Sequence, residues 1–142
     1  MEPWREKAVY LFPEFREDLR DPEYSIYTLF SDLINSTWKA HRRNDDQYLR
    51  WAYGFAEWCF NQEEKDLWNA AGVSFYEDLF LEIDIGEKIV PWLSPDVIPD
   101  LRNLFAAVYG ENNLKKIDSL IADCTEWRYE ETVYRTKWIE KI

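Results

Sequence analysis

Apolar residues recur at intervals of three and four along most of the chain, which is the spacing of one face of an α-helix. The clearest predicted helix has Asp21 as its cap and Pro22 in its first turn. Its apolar positions are Ile26, Leu29, Phe30, Leu33, Ile34 and Trp38. No stretch alternates apolar and polar residues long enough to predict a strand, so the pattern predicts an all-α protein.

Capping and breaking residues divide the remaining pattern into further helices. Asn44, with Gln47 as a capping-box partner, is expected to start a helix. Ser94 followed by Pro95 is expected to start another, which Gly110 ends. The tail over residues 128–142 is predicted to form a last amphipathic helix.

A further helix is expected to open with the capping pair Asn61 and Glu64. Gly72 either lies inside this helix or ends it early. A glycine inside the helix costs about 1 kcal/mol relative to alanine but leaves no additional turn to explain. We therefore expect one continuous helix to about Glu82.

About six or seven helices joined by short turns predict a compact antiparallel helical bundle. A short helical-hairpin array is the alternative, although the sequence has no clean internal period. At 142 residues the chain is interpreted as a single helical domain, residues 1–142, in which residues 111–142 form a C-terminal helical extension.

Charge is distributed unevenly along the chain. The formal net charge is −11, and residues 57–100 carry 11 acids against only two bases, Lys65 and Lys88, which is −9 of that total. Such a field repels nucleic acid and anionic membranes and attracts basic surfaces. We therefore expect a basic protein partner, with no direct nucleic-acid or membrane binding.

Residues typical of targeting or catalysis are few. The charged segment 1–7 is unlike a signal peptide, and no apolar run approaches the roughly 18 residues of a membrane span, which predicts a cytoplasmic protein. The only histidine, His41, lies at a basic helix end. Cys59 and Cys124 are expected to be reduced buried thiols, with one disulfide between them as the alternative. We predict no catalytic residue, no cofactor and no metal site.

Carboxylates nevertheless leave one enzymatic alternative open. On a continuous helix Asp78 and Glu82 are four residues apart, and like charges at that spacing destabilise the helix by a few tenths of a kcal/mol. A cation site for a carboxylate-dependent hydrolase, a patch for a basic partner, or a solvated helix end would each explain the pair. A nucleic-acid mimic, in which carboxylates replace phosphates, is a further alternative.

Aromatic residues are abundant, with eight Trp, and most are expected to form the core. Trp and Tyr also anchor protein interfaces, and Trp92 lies within the acidic third of the chain. We therefore consider Trp92 a candidate interface anchor, with core packing as the alternative.

Three stretches, residues 11–15 (LFPEF), 53–57 (YGFAE) and 73–79 (VSFYEDL), resemble a family of small acidic helical proteins of bacteria, uncharacterised in function. Some of its members resemble immunity proteins of toxin systems. The resemblance extends from about Val9 to Tyr109, and the region after Gly110 looks like an addition.

That resemblance implies an inhibitor that covers a basic, nuclease-type toxin with an acidic face. The residues expected to bind the partner are Glu77, Asp78, Glu82, Asp84 and Glu87, with Trp92 as the anchor. Complementary charge would give fast association, and buried aromatic contacts would give slow release.

Overall fold

The computed structural model describes residues 1–142 and confirms the all-α fold, with no strand. Six helices have nine residues or more, or seven when the longest is divided at Gly110. Three 3-10 segments cover Pro13–Phe15, Tyr76–Ile85 and Val90–Trp92. The α-helices are α1 (Pro3–Leu11), α2 (Arg16–Leu19), α3 (Ile26–Arg43), α4 (Asp46–Phe60), α5 (Lys65–Ser74), α6 (Gly86–Ile89), α7 (Ile98–Asp123) and α8 (Tyr129–Lys141).

Helix α3 begins later than the sequence pattern indicates. The Asp21 carboxylate accepts a hydrogen bond from the backbone N–H of Glu23 and closes a local turn, so the predicted cap at Asp21 is wrong. The cap is Ser25, whose side chain accepts from the backbone N–H of Thr28. Several polar residues before the apolar run were able to cap, and the turn at Asp21 decided between them.

The junction between α3 and α4 shifts the next cap by one residue. Asn44 adopts the left-handed conformation, with φ 55° and ψ 41°, and ends α3. Asn tolerates this conformation because its short polar side chain bonds locally. Asp45 is the cap of α4 and accepts from the backbone N–H of Tyr48, so the predicted cap at Asn44 is wrong.

The predicted continuous helix to Glu82 is also wrong. Helix α5 contains Gly72, as expected, but ends at Ser74, and Phe75 leaves the helical region with φ −124° and ψ −73°. Phe75 and the next residue, Tyr76, are both buried. The chain therefore leaves the α-helix at the point where these two aromatic rings enter the core.

Helix α7 begins and bends at identifiable residues. The Ser94 hydroxyl accepts from the backbone N–H of Asp96 and caps a turn, so α7 starts at Ile98, later than predicted, with Pro99 in its first turn. Gly110 has φ 75° and ψ 171° and interrupts the helix, which confirms the predicted break. Glycine reaches this region without the steric cost that a Cβ would add.

Helix α4 lies at the centre of the molecule and packs against α1, α3, α5 and α8. The most extensive packing is between α4 and α8, where Trp51 and Trp138 meet edge to face with ring centroids 5.1 Å apart. A linear hairpin array would bring only neighbouring units together. Because α8 returns to α4, the arrangement is the predicted compact bundle.

None of these helices combines the length and the apolar character that a membrane span needs.

Candidate protein-binding site

The acidic segment, which we define as residues 76–87, comprises the 3-10 segment Tyr76–Ile85 and the start of α6. Four of its side chains anchor it in the core, and the carboxylates between them point outward. Two polar contacts hold its backbone: Trp38 Nε1 donates to the Leu79 carbonyl at 3.0 Å, and the Tyr109 hydroxyl donates to the Glu77 carbonyl. The anchoring side chains are Tyr76, Leu79, Phe80 and Ile85.

Two of the predicted partner-binding acids already have a basic partner in the chain. Arg42, at the end of α3, lies 3.1 Å from Glu82 and 2.9 Å from Asp84. Its hydrogen bond lowers the pKa of Asp84. The basic end of α3, which complements the helix dipole, therefore also neutralises part of the acidic segment. The sequence pattern does not reveal this pairing, because Arg42 is about forty positions away from both acids.

Three predicted acids, Glu77, Asp78 and Glu87, form no ion pair within the chain. Partial burial raises the pKa of Glu77, and the neighbouring charge of Asp78 raises it further. Burial also raises the pKa of Asp78. These carboxylates therefore supply the unneutralised negative charge of the segment. Because α5 ends at Ser74, Asp78 and Glu82 do not form the predicted pair on one α-helical face.

Two large apolar side chains are exposed between the acids. Leu81 is 60% exposed and Ile83 is 46% exposed. Sequence reasoning missed both, because it placed Leu81 near the end of a continuous helix and did not consider Ile83, which lies beyond the predicted helix end. The segment bends at Glu82, which has φ −94° and ψ 64°, between Leu81 and Ile83. Exposed apolar area therefore lies next to the carboxylates of Glu82 and Asp84 along the chain.

Trp92 was predicted as a candidate anchor, and the structure places it in the core at 3% exposure. One ring face stacks on Tyr53, with centroids 5.8 Å apart and planes 10° from parallel. The Arg128 guanidinium lies 4.5 Å from the ring centroid. Arg128 comes from the segment before α8, so Trp92 is covered by a residue that is distant in sequence. In the folded chain Trp92 therefore offers no exposed surface that could anchor a partner.

Glu57 is counted in the acidic stretch but does not contribute to its surface. It is 3% exposed on α4, and Thr136 Oγ1 of α8 lies 3.1 Å from its Oε2. Burial raises the pKa of this carboxyl group, and the hydrogen bond from Thr136 opposes that rise. The charge presented outward between residues 57 and 100 is therefore smaller than the sequence count.

His41 belongs to the core and not to an exposed basic end. It is 2% exposed, and its Nε2 lies 2.7 Å from the hydroxyl of Tyr53. Burial together with the positive charge of Lys88 lowers its pKa to about 4, against the opposing effect of Asp46. The imidazole is therefore neutral at pH 7.

This burial makes stability depend on pH. Unfolding returns the pKa of His41 toward its ordinary 6.5, so between pH 6.5 and 4 the unfolded chain binds a proton that the folded chain does not. The folded state should lose about 1–2 kcal/mol between pH 7 and pH 5 through this group. Urea unfolding of the wild type and of His41→Gln at both pH values measures it. The variant should lose less stability on acidification, and equal losses would contradict the assignment.

The two cysteines are free thiols, as expected, although the expected burial holds only for Cys59. Cys59 is buried, whereas Cys124 is half-buried before α8. Burial raises the pKa of both thiols. No group of three or more His, Cys, Asp or Glu side chains is arranged to hold a metal ion.

Comparison with known proteins identifies a family for most of this chain. The family described as a domain of unknown function, DUF7674, matches residues 5–103, which include the acidic segment and end inside α7. Neither curated proteins nor solved structures gave a match. The matched range is close to the resemblance noted from about Val9 to Tyr109. The chain therefore belongs to the DUF7674 family, a family of small proteins of uncharacterised function.

Proposed function

We propose that this protein is a protein-binding inhibitor, an immunity protein of a bacterial toxin system that covers the active surface of a basic, nuclease-type toxin. The observation that carries the proposal is the acidic segment, where Leu81 and Ile83 are exposed between carboxylates. Interfaces commonly combine an apolar centre with a polar rim. The resemblance to immunity proteins supports the same reading.

Charge and apolar area would serve different steps of binding. The unpaired carboxylates of Glu77, Asp78 and Glu87 would attract a basic surface and accelerate association. Burial of Leu81 and Ile83 would slow dissociation, because apolar contacts form only after docking. Glu82 and Asp84 would contribute less, since Arg42 already neutralises much of their charge.

The first experiment compares two isoelectric variants. Glu77→Gln with Asp78→Asn removes two charges from the acidic segment, and Glu17→Gln with Asp18→Asn removes the same adjacent pair from exposed positions in α2. Affinity capture from the native cytosol at low and moderate salt, with quantitative mass spectrometry, should retain one basic protein stoichiometrically. The α2 variant should retain it, and the segment variant should retain at least several-fold less.

Kinetics with the captured partner would separate the two contributions. We expect the Glu77/Asp78 variant to associate about tenfold more slowly at low salt and to show a flatter salt dependence. Leu81→Ser with Ile83→Ser should leave the association rate nearly unchanged and increase the dissociation rate by about tenfold or more. Ile142→Ser, at an exposed apolar position of the C-terminus, is the control.

Other outcomes would reject the proposal. A partner retained equally by all variants would place the interface elsewhere. Loss of the partner on addition of DNA or RNA, with no cognate toxin, would indicate a nucleic-acid mimic. Absence of a partner together with stoichiometric binding of a divalent metal would indicate a carboxylate-dependent hydrolase.

A further inference from the structure

An open cleft of about 510 Å³ lies beside the acidic segment. Its first wall includes His41 at the end of α3 and Glu87 on α6, and its second wall is the end of α7 with the segment leading to α8. Asp123 and Glu126 belong to that second wall, which lies beyond the family-matched residues 5–103. The volume is within the range of about 300–1,000 Å³ typical of ligand sites.

The two basic residues of the cleft are already engaged within the chain. Lys88 Nζ donates to the backbone carbonyl of His41 and to Asn44 Oδ1, each at 3.3 Å. The Arg128 guanidinium donates to Asp46 at 2.8 Å and also binds Glu131 at 2.7 Å. The charge of Arg128 is therefore neutralised within the chain, whereas Lys88 bonds only neutral groups and keeps its positive charge.

Three carboxylates of the cleft have no basic partner within the chain. Glu87, Asp123 and Glu126 are exposed toward it and form no ion pair within the chain. Two of them come from the C-terminal region and one from the acidic segment, so the cleft continues that segment through Glu87. These three negative charges exceed the single positive charge of Lys88 in the cleft, and the excess favours a cation that can bond several carboxylates together.

His41 supplies an independent polar group in the first wall. Its only side-chain hydrogen bond is between Nε2 and Tyr53, whose buried hydroxyl has no other partner. A buried hydroxyl with no other acceptor keeps its proton hydrogen-bonded only by donating to Nε2, which assigns to neutral His41 the tautomer that carries its proton on Nδ1. Nδ1 has no partner in the chain, and every fully buried polar side-chain atom has one, so Nδ1 keeps contact with solvent, and the cleft is the open space that His41 lines. The cleft thus offers a donor on a buried side chain besides its acids.

We propose that this cleft binds a basic peptide segment of the partner, with an arginine side chain among Glu87, Asp123 and Glu126 and a backbone carbonyl accepting from His41 Nδ1. A guanidinium presents five donors in a planar fork and suits several carboxylates at once. The peptide carbonyl would accept the proton that His41 carries on Nδ1. The peptide would belong to the toxin that the protein is proposed to inhibit, and to that extent the assignment rests on the proposed function.

The probe is N-acetyl-arginine methylamide, and the measured quantity is the imidazole NMR signal of His41, the chain's only histidine. Long-range ¹H–¹⁵N spectra give one imidazole signal pair, which should show the Nδ1–H tautomer in the free protein. Titration with the probe should shift the Nδ1 resonance. N-acetyl-citrulline methylamide, which is uncharged, and methylguanidine, which lacks a carbonyl, should each bind at least about tenfold more weakly, as expected for loss of a charge-assisted or a buried hydrogen bond.

Variants locate the site. Asp123→Asn with Glu126→Gln should weaken probe binding by about tenfold or more, because both exposed side chains lose charge without disturbing the core. Glu23→Gln and Glu111→Gln, at exposed positions outside the cleft, should not change it. Equal binding of arginine and citrulline probes, an unshifted His41 signal, or equal loss in the control variant would overturn the inference.

The two proposals fail separately. If the arginine probe does not bind but the Glu77/Asp78 variant loses a basic partner, the inhibitor proposal stands and the cleft assignment is wrong. If the probe binds at the cleft but no partner depends on the acidic segment, the cleft assignment stands and the inhibitor proposal is wrong.

Discussion

Replacing Trp92 by alanine should lower the free energy of unfolding by about 3–5 kcal/mol, the usual cost of removing a large aromatic side chain from a core. The ring stacks on Tyr53 and lies under the Arg128 guanidinium, so the substitution leaves a cavity and removes both aromatic contacts. The Thr132 hydroxyl donates to the Trp92 backbone carbonyl, which remains in the variant. Urea unfolding at pH 7 measures the loss.

Trp68 provides the matched control for that experiment. It is 40% exposed on α5, and Trp68→Ala should cost clearly less because solvent already contacts much of the ring. If Trp92→Ala cost no more than Trp68→Ala, Trp92 would not be a core residue. Its role as a surface anchor would then be open again.

Gly54→Ala should destabilise the protein by about 1–3 kcal/mol, although alanine is the better helix former. A Cβ at Gly54 would lie 2.8 Å from the Cβ of Arg135 and 3.4 Å from Cδ1 of Ile139. The first distance is far below van der Waals contact, and it joins two atoms held close to their backbones. The added methyl group therefore has to push α8 away from α4.

Gly72→Ala tests the same change where space exists. Its Cβ would lie 3.5 Å from Leu104 Cδ1 and 3.7 Å from Phe60 Cε1, both ordinary contacts. Because Gly72 lies inside α5, this variant should gain up to about 1 kcal/mol. Thermal and urea unfolding of the two variants should shift in opposite directions. Equal effects would contradict the close approach of α4 and α8.

Local patterning determined the class of fold. The three- and four-residue spacing of apolar positions predicted the helices of a bundle, and Gly110 marked a real interruption. The predicted helix starts at Asp21, Asn44 and Ser94 were each one or more residues early. Several consecutive polar residues are able to cap in such stretches, and only the surrounding turns select one of them.

The local course of the acidic segment depended on the core. Helical spacing allowed α5 to continue, but the helix ends at Ser74, where Phe75 and Tyr76 enter the core and the 3-10 segment begins. Within that segment Leu81 and Ile83 are exposed. No local signal identifies such a change, because it depends on what packs against the two rings.

By itself, the sequence determined the all-α class and the uneven charge, since each follows from composition or from short-range spacing. It left open whether Cys59 and Cys124 are paired, which depends on how far apart the fold places them. The tertiary structure alone decided which charges remain free. Arg42 neutralises Glu82 and Asp84 across about forty positions, and Arg128 covers Trp92. These contacts join residues that are distant in sequence, so the packing of α3, α4 and α8 determines which residues meet. A pattern within a single helix contains no information about that packing.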